Sequence, residues 1–182
     1  MQRKPAILML ANGIWFKGVA LGAAQETGGE VVFNTSMCGY QEILTDPSYH
    51  GQMITFTSPH IGNYGITPLD NESSMPTVAG AIMHEMSPFT GHWRAEIPLD
   101  DWMRAAGITG IGGIDTRALT LHLREHGSIN GIISARDSNL DSLLEKARSL
   151  PLMAGLDLAK VVSCKEPYTY EPRGNWPLRG WR

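Results

Sequence analysis

The order of the apolar segments is the sequence feature that most constrains the fold. Short apolar runs of strand length fill the first half of the chain, whereas strands alternate with helical patterns in the second half. The first run, Ala6 to Ala11, is too short to cross a bilayer as a helix. This order predicts an α/β fold, and more closely a layered β/β/α domain in which helices cover at least one sheet face.

A β-hairpin is predicted at the amino terminus. Asn12-Gly13 separates the apolar runs 6–11 and 14–21, and this dipeptide suits a tight turn in which both positions have positive φ. A long connection, 58–77, is rich in Pro, Gly, Asn and Ser, and connections of that length are usually functional or disordered. The other elements expected in the first half are strands at 30–35, 52–57 and 78–83 and a short helix within 37–45.

The second half is predicted to alternate strands with helices. A helix capped by Asp115 and ended by Gly127 lies between strands expected at 108–114 and 129–134, and a weaker helical pattern covers 99–106. A further helix is expected between a Ser138 cap and the Pro151 stop. Its apolar stripe has helical spacing and consists of Leu140, Leu143, Leu144 and Ala147.

The domain organisation follows from a change in composition near the carboxyl end. Residues 1–165 are expected to form one domain. From Glu166 to Arg182 prolines and glycines are interleaved with Tyr and Trp without a period, which is typical of a linker. Trp176 and Trp181 in this stretch suit docking on a partner.

Charge and cysteine content exclude some classes of function. The chain has 15 Lys+Arg against 18 Asp+Glu and a formal net charge of −3, with the basic residues scattered. A scattered distribution gives no patch for a nucleic acid backbone or an anionic membrane. The two cysteines are far apart in sequence and suit a reducing compartment, so we expect a cytoplasmic protein.

No complete catalytic motif is visible, and three weaker candidates remain. A small serine hydrolase built on Ser48 and His50 lacks an evident oxyanion hole, with only Asp46 nearby. His122 and His126 share one helix face at a spacing used by metal sites, but no third ligand is near, so we expect no metal. Cys38 is expected to be a small buried side chain rather than a nucleophile.

Two segments are better candidates for contacts. Gly62-Asn63-Tyr64-Gly65 has a glycine at each end, which allows positive φ and close approach of a ligand or partner. Asp115 and Arg117 begin the helix that follows a glycine-rich strand, and Arg117 can pair with a carboxylate across an interface. An ordinary loop and an ordinary helix cap remain the alternatives.

Several longer blocks resemble one family. The segments 29–37 (GEVVFNTSM) and 39–49 (GYQEILTDPSY), followed by 59–65 (PHIGNYG), 113–120 (GIDTRALT), 123–127 (LREHG) and 155–160 (GLDLAK), resemble in order the N-terminal domain of the small, glutamine amidotransferase subunit of glutamine-dependent carbamoyl phosphate synthetase. The blocks span nearly the whole chain up to about residue 170.

The resemblance implies a β/β/α domain of the swivelling type, followed by a class I glutaminase domain that is absent from these residues. It implies that the glutaminase domain releases ammonia from L-glutamine. A large subunit then uses this ammonia with bicarbonate and ATP, together with Mg, to make carbamoyl phosphate for arginine and pyrimidine biosynthesis. The implied assembly is a heterodimer, and this chain alone is expected to hold no cofactor and no catalytic residue, and to be inactive.

The resemblance carries over to few site residues. Ser48 matches a position that contacts the substrate glutamine from across the domain boundary, and a hydroxyl or turn N–H can bond an α-carboxylate. Gly62, Asn63, Gly65, Asp115 and Arg117 are expected to serve contacts between domains or subunits. The alternative function is a stand-alone module that binds the large subunit without glutaminase activity.

Overall fold

A computed structural model describes residues 3–169 and has a closed barrel of seven strands at its centre. The strands are β1 (Pro5–Leu10), β2 (Trp15–Gly22), β3 (Glu26–Asn34), β4 (Gln52–Phe56), β5 (His60–Ile61), β6 (Gly80–Ile82), β7 (Glu85–Met86), β8 (Thr109–Gly112) and β9 (Ile129–Ser134). The helices are α1 (Tyr40–Thr45), α2 (Leu99–Ala105), α3 (Thr116–His126), α4 (Leu140–Ser149) and α5 (Leu158–Val162). The α/β class is confirmed, and the layered β/β/α arrangement of the swivelling type stays a prediction.

The predicted amino-terminal hairpin is present, but its turn differs from the expected one. The N–H groups of Leu10 and Gly13 donate to Ile14 O (2.8 Å) and Leu10 O (2.9 Å) respectively, so the loop has the three residues 11–13. Gly13 has a φ of 93°, whereas no positive φ occurs at Asn12. This is the type I turn followed by a left-handed glycine that three-residue hairpin loops favour. Asn12 contributes its side-chain oxygen, which accepts from Ile14 N–H at 3.1 Å.

The barrel closes through pairings between distant parts of the sequence. Its strand order is β1-β2-β8-β6-β4-β3-β9, and β9 pairs antiparallel with both β3 and β1. The strands β3, β4, β6 and β8 are mutually parallel neighbours in this order. Parallel neighbours need crossover connections. Here α1 lies in the crossover from β3 to β4, and α2 lies in the crossover from β6 to β8.

Strand β3 begins earlier than the sequence predicts. It starts at Glu26 rather than at Glu30, and it includes Gly28 and Gly29. A Cβ atom on Gly29 would lie 2.3 Å from Gly51 O, so these glycines allow close packing and do not form a turn.

The barrel interior is filled by apolar side chains from alternate strand positions. Helix α3 contributes Leu119 and Leu123 to this cluster, and Asp115 caps the helix by accepting from Ala118 N–H at 2.9 Å, as predicted. The inward strand residues of the cluster include Leu8, Leu10, Ala20, Val31, Met53, Ile82, Ile111 and Ile133.

Helix α4 covers one outer face of the barrel. Its predicted stripe packs against Met9 and Ile132, with Leu143 and Ala147 fully buried. The helix cap is Asn139, not Ser138, because the Asn139 side chain accepts from Ser142 N–H at 3.1 Å. The segment that follows forms α5, which the sequence did not predict. Part of the predicted 166–182 linker, residues 170–182 with Trp176 and Trp181, lies outside the described residues.

Candidate functional site

Several loops meet where the parallel strands end. Because β4, β6 and β8 are parallel, their carboxyl ends share one edge, and the segments after them come together. β5 pairs with β7, while His84 O accepts from Gly113 N–H at 2.8 Å and His84 Nδ1 lies 2.9 Å from Ile114 O. We call the exposed residues at this edge the carboxyl-edge surface, which comprises Asn63, Phe89, Trp93, Asp115 and Arg117.

The predicted contact loop 62–65 is built on its two glycines. Gly62 and Gly65 have φ values of 94° and 69°, and Gly65 N–H donates to Gly62 O at 3.2 Å. A Cβ atom on Gly65 would lie 2.5 Å from Thr90 Cγ2. Both glycines are buried, so in this loop it is Asn63 that is exposed. The two glycines therefore shape the loop that presents Asn63, and the expected contact role of Gly62, Asn63 and Gly65 stays a prediction.

Tyr64 fixes this loop against the beginning of α1. Its ring stacks on Tyr40 with centroids 4.1 Å apart, and its hydroxyl oxygen accepts from the N–H groups of Gly39 (2.6 Å) and Tyr40 (3.0 Å). The Tyr40 hydroxyl donates in turn to Gly65 O at 2.7 Å. Burial raises the pKa of Tyr64 above its usual value. The loop is therefore held by a neutral, hydrogen-bonded pair of tyrosines.

Two exposed aromatic residues at this edge were not identified from the sequence. Phe89 and Trp93 are 80% and 88% exposed, and the segment that carries them is held by a Gly91 N–H bond to Asn63 O at 2.8 Å. Their signal in the sequence is two large aromatics within a stretch of Ser, Pro, Thr and Gly, where no helix or strand pattern would bury them.

Asp115 and Arg117 lie on the same edge at the start of α3. The Asp115 carboxylate is used by the helix cap. The Arg117 side chain is exposed and makes no ion pair or hydrogen bond with any residue of 3–169. Arg117 is thus the group at this edge that can pair with a carboxylate of another molecule.

Ser48 lies apart from this edge, on a 3₁₀ turn (Pro47–Tyr49) that returns the chain from α1 to β4. Its backbone N–H donates to Asp46 Oδ1 at 2.8 Å. Its side chain is exposed, and its hydroxyl forms no hydrogen bond with any described residue. Of the two groups expected to bind a carboxylate, the turn N–H is therefore occupied and the hydroxyl is available.

The three weaker chemical candidates are not assembled into sites. His50 Nδ1 is buried without a partner and forms no hydrogen bond with Ser48 among the described residues. His122 and His126 are stacked at 4.3 Å, and His122 Nε2 is engaged with Asn12 Nδ2 at 2.8 Å. Cys38 is exposed, so the expectation that it is buried was wrong: it precedes α1 in a turn rather than facing the core.

The described residues also give two negative findings. Within 3–169 no three side chains of His, Cys, Asp or Glu are grouped so that they could hold a metal ion. In that same part of the chain, every helix is too short or too polar to span a bilayer.

Comparison with known proteins gives a consistent result. Residues 8–133, more than two thirds of the chain, match the model of the family described as carbamoyl-phosphate synthase small chain, CPSase domain. The chain is 54% identical to the carbamoyl phosphate synthase small chain of Syntrophotalea carbinolica over 95% of its own length and 46% of the relative. It is 51% identical to that of Pseudomonas aeruginosa (92% and 44%) and 47% identical to that of Xanthomonas axonopodis pv. citri (92% and 43%).

These matches leave part of each relative uncovered, since the chain spans a little under half the length of the curated relatives named above. The family model and the high identity nevertheless agree along most of the chain. The chain belongs to the carbamoyl-phosphate synthase small chain family.

Proposed function

We propose that this chain is the N-terminal structural and docking domain of a carbamoyl phosphate synthase small subunit. In this proposal the complete small subunit supplies ammonia from L-glutamine to a large subunit in the cytoplasm, which makes carbamoyl phosphate from bicarbonate and ATP with Mg. The product serves arginine and pyrimidine biosynthesis. The observation that carries the proposal is the family match over residues 8–133.

The chemistry of the described residues supports a structural role over a catalytic one. Ser48 and His50 are not hydrogen-bonded to each other, and Asp46 is engaged by the Ser48 N–H at 2.8 Å. A nucleophile needs a base within hydrogen-bond reach, itself oriented by a third group. We therefore expect the domain by itself to hydrolyse neither glutamine nor simple esters.

The Ser48 hydroxyl is proposed to complete the glutamine site of the full small subunit. It is exposed and carries both a donor and acceptors, and the Asp46 bond fixes the turn that presents it. Ser48→Ala in the full-length, assembled enzyme should raise the KM for glutamine about tenfold, which corresponds to one lost hydrogen bond to a charged group. Activity with free ammonia should stay unchanged, and Ser74→Ala, at another exposed serine, is the matched control.

The carboxyl-edge surface is proposed as a contact with the large subunit or with the glutaminase domain. Phe89 and Trp93 offer exposed aromatic area, and Arg117 offers a charge that no residue of 3–169 pairs. Aromatic residues and Arg are the residue types that carry most energy in protein interfaces. The surface therefore has the composition of a docking site.

The experiment that tests the docking role uses the full-length small chain and its large chain. Trp93→Ser and Arg117→Glu should each weaken their association or lower glutamine-dependent synthesis relative to ammonia-dependent synthesis. Glu125→Arg, at an exposed site on the far part of α3, is the control. If the unaltered chains associate and neither Trp93→Ser nor Arg117→Glu has an effect, the carboxyl-edge surface is not a docking site. A failure of the unaltered chains to associate would reject the proposed function.

The stand-alone module remains the alternative function. It predicts that these residues without a glutaminase domain bind the large chain, and that the complex uses free ammonia but not glutamine. Titration of the 182-residue chain against the large chain, followed by assays with each nitrogen donor, separates the two functions.

A further inference from the structure

The outer face of β2 from Trp15 to Val19 is left uncovered by the described helices. Helix α4 packs on β1 and β9, and α2 packs at the end of β2, where Leu21 joins the core next to Met103. Trp15 and Val19 remain 46% and 36% exposed. Within 3–169 they are the two large apolar side chains on barrel strands that are exposed in this way.

The register shows that this face is continuous. Trp15 lies opposite Met9 and Lys17 opposite Ile7 in the antiparallel β1–β2 pair, and such opposed residues share a sheet face. Since alternate residues of a strand point to the same side, Val19 continues the row. The outer face of β2 is thus a strip of apolar and basic side chains beside the helix α4.

A groove of about 490 Å³ lies between this strip and the start of α4. Ile7, Leu140 and Trp15 give it apolar walls, and Lys17 and Arg136 contribute two cations. We name these five residues the β2 groove.

The charge of the β2 groove is not neutralised within the described chain. Neither Lys17 nor Arg136 forms a side-chain ion pair or hydrogen bond with residues 3–169. Asp137 also lines the groove, and its carboxylate is held by Ser142 Oγ at 2.7 Å and by Lys146 Nζ at 3.0 Å, an ammonium that it shares with Glu26. The groove lining therefore has two cations that no described carboxylate pairs, one carboxylate and a net positive charge, above an apolar surface.

We propose that the β2 groove is a docking site for a segment of the synthase large chain that carries a carboxylate beside a large apolar side chain. The inference rests on the proposed function, and it adds a surface distinct from the carboxyl-edge surface. The two cations of the groove favour a carboxylate on the partner segment. The exposed indole of Trp15 and the apolar walls of the groove favour a large apolar side chain next to that carboxylate. Interface hot spots are enriched in Trp and Arg that lie in partly enclosed apolar surroundings, as Trp15 and Arg136 do here.

The test uses the full-length small chain and the large chain, with affinity measured at low and high salt. Lys17→Glu combined with Arg136→Glu should weaken association about tenfold or more and flatten its salt dependence, since two charge contacts are reversed. Trp15→Ala should weaken association while the salt dependence remains. Lys160→Glu is the matched control, because Lys160 is an exposed lysine that does not line the groove. Circular dichroism spectra and unfolding midpoints of each variant establish that it is folded.

Three outcomes would overturn the inference. If the Lys17→Glu, Arg136→Glu variant binds the large chain with an affinity within twofold of the unaltered chain, the groove is not part of the interface. If the small chain self-associates, and if Trp15→Ala and the double charge reversal each abolish that self-association, the occupant of the groove is a second copy of the small chain. Absence of any association between the unaltered small and large chains would reject the proposed function, and the inference with it.

Discussion

Two pairs of apolar side chains, one on α3 and one in the loop after β7, have opposite environments. Leu119 and Leu123 of α3 are buried inside the barrel, whereas Phe89 and Trp93 at the carboxyl-edge surface are 80% and 88% exposed. The buried pair belongs to a helix with a regular apolar stripe, and the exposed pair belongs to a loop held by turns. Apolar residues with a helical period are buried by folding alone, while those in an irregular loop are left available to another molecule.

The largest expected effect comes from the barrel interior. Leu119→Ala removes a fully buried side chain, and it should lower the free energy of unfolding by about 2–5 kcal/mol, since a cavity remains in the packed core. Urea unfolding of the chain, followed by circular dichroism, measures the loss. Leu121→Ala, two residues along the same helix at a side chain that is 49% exposed, should change stability by less than about 0.5 kcal/mol. Equal losses in the two variants would contradict the position of α3.

The next effect tests the rigid base of the carboxyl-edge surface. Gly65→Ala should cost about 1 kcal/mol for a side chain at positive φ and about 1–3 kcal/mol more for the overlap with Thr90 and Ala95. Gly51→Ala is the matched control, because Gly51 has a similar φ of 72° but no atom within 4 Å of an added Cβ. The difference between the two unfolding free energies isolates the packing of the loop. No difference would mean that the 62–65 and 87–97 segments are not packed together.

A smaller effect is expected at the tyrosine pair. Tyr64→Phe keeps the stacked ring but removes the oxygen that accepts from Gly39 and Tyr40 N–H, so it should cost about 1–2 kcal/mol. Tyr168→Phe, at an exposed tyrosine, should leave stability unchanged. Hydrogen exchange at the Gly39 and Tyr40 amides is the sharper measurement, because it should accelerate in Tyr64→Phe alone. Unchanged exchange at these amides would show that other groups hold the loop.

Local parts of the fold were predictable from the sequence, as particular elements show. The strand Ile129–Ser134 and the Asp115 cap were predicted correctly, because alternation and capping act over a few residues. The Ser138 cap and the start of β3 at Glu30 were wrong, because adjacent residues compete as caps and Gly28-Gly29 has the composition of a turn. Barrel closure depends on pairs such as Glu26 with Ser134, which no local pattern encodes.

The candidate site was predictable only in part. The loop 62–65 and the start of α3 were identified from their glycines and charges, and the structure brings them to one edge of the barrel. Phe89 and Trp93 were missed, because exposure of an aromatic residue depends on the packing of the entire loop. The β2 groove was missed for the same reason, since it needs the relative positions of β2 and α4.

The smallest expected effect contrasts two carboxylates, one on the barrel and one beside the carboxyl-edge loops. The hydrogen bond from Lys146, 2.8 Å away, lowers the pKa of Glu26, while burial raises the pKa of Glu42, which also lies near Asp70, Glu72 and Arg94. The Glu26 contribution to stability is present above its usual pKa and is lost as pH falls through the lowered value. The Glu42 contribution has the opposite sign: stability declines as pH rises from the usual value of 4.5 through the raised one.

Two variants separate these contributions. Glu42→Gln should match the unaltered chain below about pH 4 and exceed it in stability at about pH 7, because glutamine mimics the protonated acid. The buried Glu42 Oε2 has no hydrogen-bond partner among residues 3–169. Lys146→Met should show the reverse pattern, with a loss at neutral pH that shrinks in acid as Glu26 and Asp137 protonate. Urea midpoints measured from about pH 2, where the hydrogen bonds from Ser142 and Lys146 place the pKa of Asp137, up to about pH 7 test both. If the stability difference between either variant and the unaltered chain does not change with pH, the carboxylate concerned does not have the shifted pKa. Glu26 on the barrel and Glu42 beside the edge loops would then not differ in the direction of their pKa shifts.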